Sequence, residues 1–431
     1  MLQGYDMIMR ATAGVLLALF IGAAPAAAQD IPIHVSGELR VRGEAERPAA
    51  FDTVDAFSLL RARLGLEAEL AERARVFLQV QDARTFGEEQ STTDASADRL
   101  DLHQGWLELV RPVGSLELGI RAGRQEISLG SERLVGAVGW SNTGRSFDAA
   151  RLTLTRPEAG WHVTALAANV RERGRRTAGL NASERSDQLL LGSYADTRVL
   201  DGFVLFDRAD SVRSFSDIDR LTLGGRVDVP TSGPLTAWAE AAYQLGNQLL
   251  NTELGPTEQD IGAYFAGARV AYALAGPIST LGIGLDYLSG DDTPVDGEYD
   301  AFNTMFHTGH KWYGYMDLFL DPAARTGDRG LVDVIASTTV RLAQDVPLAL
   351  DLHRFWTAAE RPGDGSRDLG WELDLTLPLT LAPGQRLQLG YSAFRAGDAA
   401  PLAGIGAAGR WAHWGYLMAT FGFDRSLRPT S

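Results

Sequence analysis

No cysteine occurs among the 431 residues, which excludes a disulfide framework, a thiolate metal site and a cysteine nucleophile. Past the first 28 residues, no stretch offers the roughly 20 apolar residues of a membrane-spanning helix. A Gly-x-Ser-x-Gly elbow is missing, so the usual serine-hydrolase signature is absent. No fixed signature recurs every ~40–50 residues, as propeller blades would require. Excess basic charge is also missing: 40 Lys+Arg stand against 55 Asp+Glu, a formal net charge of −15. That balance argues against a sequence-independent nucleic-acid binder, which carries a basic footprint.

What the chain does have is alternation. Residues 33–44 read Ile-His-Val-Ser-Gly-Glu-Leu-Arg-Val-Arg-Gly-Glu, and residues 60–70 read Leu-Arg-Ala-Arg-Leu-Gly-Leu-Glu-Ala-Glu-Leu. A strand has period two, so charge falls on one face and apolar residues on the other. The pattern recurs to the end of the chain. Tight turns at 71–73, 111–114, 156–160, 195–201, 229–234, 273–277, 343–346 and 381–384 alternate with longer polar segments. Those segments fall at 85–99, 130–146, 171–185, 209–218, 247–260, 290–330, 358–367 and 397–410. A soluble sandwich also alternates along its strands, but regular short and long connections are the habit of outer-membrane barrels, tight on the periplasmic side and long outside. The expectation is all-β: a single-chain antiparallel transmembrane barrel of about 18 strands.

The leader agrees with that compartment. Arg10, an apolar run from Ala11 to Ala24, and the end Pro25-Ala26-Ala27-Ala28-Gln29 read as a secretory signal peptide. The expected division is 1–28 signal peptide, cleaved near Ala28, and 29–431 barrel. Asp6 and Arg10 cancel, so cleavage leaves the net charge unchanged.

Faces follow from cost. An arginine at the bilayer midplane costs about 2–4 kcal/mol, so the charged face must look inward. This places Arg40, Arg42, Arg61, Arg63, Glu67, Glu69, Arg121, Arg151, Arg226, Glu240, Arg269, Arg341, Asp351, Glu372 and Asp374 in the lumen. On the last strand Leu417, Ala419, Phe421 and Phe423 are expected outside, with Trp411, Trp414 and Tyr416 in an interfacial aromatic girdle. A narrow lumen lies within the ~8 Å Debye length at physiological salt. Wall charge is therefore felt by a passing solute, and a positive ring favours carboxylates. Acids are about as common as arginines on this face, so cross-strand ion pairs are the competing role for the same residues.

Other chemistry is thin. His307 and His310 are spaced like a metal pair without a third ligand. Asp291, Asp292, Asp296, Glu298 and Asp300 make a carboxylate-rich stretch in which Asp291, Asp292 and Asp296 are calcium candidates, although the spacing is not that of an EF-hand. Glu67 and Glu69 share a face and could in principle do glycosidase work; pore-wall charge explains them as well.

Several stretches resemble the alginate export family of outer-membrane barrels. They are Gly123-Arg124-Gln125-Glu126 with Arg133-Leu134-Val135-Gly136, Trp140-Ser141-Asn142 and Gly144–Asp148; Glu240 with Tyr243–Gly246; Asp286–Asp291 with Phe302-Asn303, Phe306, His310-Lys311 and Gly314–Asp317; and Asp351–Trp356 with Gly370–Asp374. Their order spans most of the mature chain. The resemblance implies a large outer-membrane barrel passing an anionic, uronate-type polysaccharide through an arginine-rich constriction. It also implies that the loop from Ser289 to Asp317 folds over the mouth. The expected partners are outer-membrane lipids, an anionic oligo- or polysaccharide or another small hydrophilic solute, and periplasmic export proteins; no cofactor and no nucleic acid are expected. A small-molecule uptake porin and a barrel-borne hydrolase are the alternative functions.

Overall fold

The computed structural model describes residues 31–50, 52–86, 100–173, 186–211, 216–229, 233–252, 255–293, 296–360, 365–401 and 403–427. Its strands are β1 (Ile33–Arg47), β2 (Asp55–Ala71), β3 (Ala74–Phe86), β4 (Leu100–Val113), β5 (Leu116–Gln125), β6 (Phe147–Arg156), β7 (Trp161–Arg173), β8 (Ser186–Asp196), β9 (Leu200–Ser211) and β10 (Ser216–Val229). Then come β11 (Leu235–Thr252), β12 (Gly255–Ala273), β13 (Ile278–Leu288), the two-residue β14 (Glu298–Tyr299), β15 (Leu331–Ala343), β16 (Val346–Trp356), β17 (Asp368–Ala382), β18 (Gln385–Ala396) and β19 (Trp411–Leu427). Each long strand pairs antiparallel with its neighbours, and β1 pairs with both β2 and β19. The sheet therefore closes and leaves no edge. Setting aside β14, which lies parallel to β12 inside a connection, eighteen strands form the wall.

The two faces divide as period two demands. Leu39, Val41, Leu64, Leu66, Leu78 and Val80 are exposed on the outside, while Arg40, Arg42, Arg61 and Gln81 between them are buried inside. Such an inverted surface would be untenable in water but suits hydrocarbon, which solvates the outer leucines, while closure of the ladder spares the wall an unpaired edge. Leu417, Phe421 and Phe423 stand on this outer face.

Three expectations need correction. Residues 247–260 are not a long loop: β11 and β12 continue their ladder from Asn247↔Asp260 to Thr252↔Gly255. Polar side chains end a lipid-facing band, not a backbone ladder, and Gln248 donates to Gln259 across the hairpin at 3.1 Å. Residues 209–218 likewise shorten, because β9 runs to Ser211 and β10 starts at Ser216. Trp414 and Tyr416 are not girdle residues; they share the inward parity of β19 and are buried, whereas Trp411 is outside. Loop positions 87–99 and 174–185, and the leader 1–28, lie outside the described residues.

Candidate conduction site

Two connections on the long-loop side turn into the barrel: segment 126–146 between β5 and β6, and segment 289–330 between β13 and β15. They pair with each other through a parallel bridge at Val135 and Phe306. Gly136 N–H donates to Phe306 O at 2.9 Å, Phe306 N–H to Leu134 O at 2.8 Å, and Thr308 N–H to Glu132 O at 3.0 Å. Ile127, Val135, Phe147, Phe302, Tyr313 and Phe319 are almost fully buried around them. The lumen therefore holds its own hydrophobic core, and each such side chain contributes about 1.5–3 kcal/mol to docking the loops.

The arginines of β1 and β2 grip the first loop by its carbonyls. Arg40 donates to Gly139 O and Ser141 O, both at 2.8 Å. Arg61 reaches the same two oxygens at 3.0 and 3.1 Å while bonding Glu38. Arg42 donates to Trp140 O at 2.8 Å, lies 3.9 Å over the Trp140 ring and pairs with Glu44 at 2.7 Å. Arg63 pairs with Glu126 at 3.1 Å and donates to Thr143 O at 3.4 Å. Ser146 and Glu126 meet His103 at 3.3 and 2.7 Å; since Glu126 also holds Arg63, this serine–histidine–acid contact belongs to the root of the loop. Glu126 is held below the usual carboxylate range: burial alone would raise it, but His103 and Arg63 outweigh burial.

The second loop meets a wall of acids. Glu372 accepts from Met316 N–H at 2.9 Å, and Gly314, at φ +87°, lies so close that a Cβ there would sit 2.5 Å from the Glu372 carboxylate. Asp374 accepts from Ser392 and lies 3.6 Å from His353, which pairs with Asp333 at 2.9 Å. Asp286 pairs with Arg269 at 2.9 Å.

Arg133 joins the two loops to that wall. It is buried, 3.1 Å from Asp286 and 3.5 Å from Glu240, donates to Tyr313 Oη at 3.2 Å and stacks 3.7 Å over Trp312. Its role was not legible from spacing; its only mark in the sequence is its place in the Arg133–Gly136 motif. Aromatic rings add a second seam, with Trp140 stacked on His310 at 3.9 Å and meeting Trp414 and Tyr416 edge-on at 5.9 and 4.9 Å.

All fifteen residues expected in the lumen have the inward parity of their strands. They fall in separate groups. Arg121 pairs with Glu108 at 2.8 Å and stacks on Trp106, and Arg151 stands across from Arg121 with its Nε unpartnered among the described residues. Glu67, 3.7 Å from Arg75, together with Glu69 and Arg341, lies toward the tight turns, away from both loops. Asp351 stands across from Asp374 and beside Ser337. His307 and His310 diverge: His307 donates to Leu320 O at 2.5 Å and His310 meets Asp317 at 2.9 Å. Burial drives His307 down to about 4, so it is neutral at pH 7. The calcium candidates are not gathered either. Asp291 accepts from Thr293 N–H, Asp292 from the Thr293 hydroxyl and Asp296 from Glu298 N–H, and no trio of metal-ligating side chains converges among the described residues.

Beneath the loops a cavity of about 550 Å³ opens between Ser128–Ser131, Thr164, Tyr194, Trp238 and Trp312. Two cations line it, together with the carboxylates of Asp196, Asp201 and Asp228. Arg226 stacks 4.3 Å over Trp238 and pairs with Asp228 at 2.7 Å. Lys311, the sole lysine of the sequence, is half-exposed, 3.7 Å from Glu132 and 5.6 Å from the Trp312 ring. A smaller space of about 200 Å³ on the other side of the second loop is lined by Glu44, Glu46, Asp317, Tyr315 and Trp414.

The backbone is similar to crystal structures of several outer-membrane porins. Pseudomonas aeruginosa OccK3 (OpdO) superposes with a TM-score of 0.58 at 14% identity, over 91% of this chain and 96% of that one. OccK11 (OpdR) of the same organism gives 0.55 at 14% identity over 91% and 96%. P. aeruginosa OccK2 (OpdF), solved in complex with glucuronate, gives 0.57 at 11% identity over 91% and 98%. At such identities the likeness establishes the fold alone. No curated protein matches the sequence. The alginate export family profile matches residues 31–411. A closed barrel whose lumen holds two docked loops, matched over that span, belongs to the alginate export family and is an outer-membrane channel.

Proposed function

We propose that the channel passes hydrophilic anions of the uronate class, and that Lys311 and Arg226 are the cations such a solute meets. The observation that carries this reading is the cavity beneath the loops, where both cations stand beside indole rings. A sugar acid presents a carboxylate to the cations and apolar C–H faces to Trp238 and Trp312, the mixed chemistry expected of a small-molecule site. Arg40, Arg42, Arg61 and Arg63 shape the passage instead by holding the first loop. The family match supports export of a uronate polysaccharide as the biological setting, after signal-peptide removal near Ala28. Uptake of a small sugar acid is a second reading, favoured by the two loops, which leave a space within the ~300–1,000 Å³ of small-molecule pockets.

Planar-bilayer recording tests the proposal. Under a salt gradient the reversal potential is expected to favour anions, and glucuronate to block the current more strongly than glucose. Lys311→Glu with Arg226→Gln is expected to abolish both effects. Equal block by glucose and glucuronate, or selectivity indifferent to the double substitution, contradicts the reading. Permeation of mono-uronate but not of oligo-uronate in liposomes would favour uptake over export.

A further inference from the structure

The outer face of β16–β19 carries a row that conduction does not use. Arg354 stands across from Trp371, Trp371 across from Arg395, and Arg395 across from Trp411. Cation and indole thus alternate over four neighbouring strands at one height, on the side facing away from the lumen. Arg354 lies between two indoles, 4.7 Å from Trp356 and 4.6 Å from Trp371, and is tied to Asp368. The Arg395 side chain is exposed and makes no ion pair or hydrogen bond among the described residues. Arg47 extends the row, donating to Trp411 O at 3.5 Å.

The height of the row is informative. Directly below it on β17 the outward positions are Leu373, Leu375, Leu377, Leu379 and Leu381; on β19 they are His413 and Gly415, then Leu417, Ala419, Phe421 and Phe423. At ~3.3 Å per residue and a strand tilt of ~40°, the rise from Leu381 up to Trp371 is about 25 Å, the height of a hydrocarbon band. Arginine and tryptophan therefore sit together at its long-loop edge, the level of lipid headgroups, where indoles anchor and cations meet lipid phosphate. Arg84 and Arg124 on this rim are, like Arg354, neutralised locally, by Asp82 at 2.9 Å and Asp148 at 3.0 Å, and Arg395 differs from them.

We infer that the Arg354–Trp371–Arg395–Trp411 row is a binding site for the phosphate headgroup of an acidic outer-leaflet lipid. Arg395 presents its planar fork to the phosphate, Arg354 is held beside it by its indoles, and the acyl chains lie along the leucine band below.

The test is native mass spectrometry of the full-length protein in detergent micelles, titrated with diphosphoryl lipid A, with phosphatidylcholine as the lipid control and inorganic phosphate as competitor. Wild type is expected to hold diphosphoryl lipid A about tenfold more tightly than phosphatidylcholine, and millimolar phosphate not to displace it. Arg354→Gln with Arg395→Gln should weaken that preference about tenfold, the loss expected when charge-assisted contacts are removed. Arg395→Lys, which keeps the charge but loses the fork, should retain only part of it, and Arg124→Gln all of it. Equal affinity for the two lipids, displacement by inorganic phosphate, or a double variant indistinguishable from wild type in lipid preference would overturn the inference.

Discussion

Two stretches of the lumen wall hold a loop with groups of opposite charge, yet both do the same job. On β1 and β2, Arg40, Arg42 and Arg61 donate to the carbonyls of Gly139, Trp140 and Ser141. Three strands further round the wall, on β17, Glu372 accepts from the N–H of Met316. A backbone has a donor and an acceptor on every residue, so a cationic wall seizes a loop by its oxygens and an anionic wall by its nitrogens. Lumen charge is therefore not a direct readout of solute preference, because much of it is already satisfied by the protein's own loops.

The most disruptive way to break this pairing of walls is at Arg133, which touches both loops and the acidic side. Arg133→Met leaves Asp286 and Glu240 buried without that partner, a loss of about 3–5 kcal/mol for a broken buried pair. Both loops are expected to loosen together, seen as a higher single-channel conductance and a lower temperature of heat-modified migration. A change confined to one loop would separate the walls.

Removing Arg40 and Arg61 attacks one wall alone. Each charged hydrogen bond contributes about 1.5–3 kcal/mol, so Arg40→Gln with Arg61→Gln should expose segment 126–146 to limited proteolysis before segment 289–330 is cut. Simultaneous cleavage of the two would mean that they dock only as a unit.

Acid probes the second loop. An undocked His307 titrates near 6.5, whereas burial holds the docked residue at about 4. Between those values the released loop binds more protons, so docking is full above about pH 6.5 and loses roughly 3 kcal/mol by pH 4. Asp291 and Asp328 pull the other way, since burial raises both and protonation eases them. Conductance is expected to rise and fluctuate on acidification from pH 7 to 4.5, and His307→Gln to remove the part of that rise due to the histidine.

The smallest effect is expected at Gly314. Its φ of +87° alone makes Gly314→Ala cost about 1–2 kcal/mol, the usual penalty for a left-handed side chain, and the new Cβ must also displace the Glu372 carboxylate. The acidic wall would then grip less firmly while the arginine contacts persist, so proteolysis should begin in the second loop.

Much of this barrel was legible because period two is a local property. Residues 33–44 and 60–70 display their faces without reference to anything distant, and the tight turns follow from short breaks in that pattern. Trp414 and Tyr416 went astray because strand parity, and not aromatic character, decides which way a side chain points. The hairpin at 247–260 was missed because polarity marks the end of the lipid band rather than of the ladder. The role of the arginines lay further out of reach. Arg40 meets Gly139 across 99 residues of sequence, and nothing local reveals that a loop returns to occupy an inward charge. The same holds for Lys311, whose position depends on the path of the whole second loop.

That path can be read chemically, because the chain has a single lysine. Carbodiimide joins an amine to a carboxylate only where the two are in contact, and Lys311 Nζ lies 3.7 Å from Glu132. Treatment of the folded protein, followed by peptide mass spectrometry, is expected to yield a Lys311–Glu132 cross-link that vanishes on unfolding. A Lys311 that stays free, or that links to an acid outside segment 126–146, would contradict the account of two loops held together within the barrel.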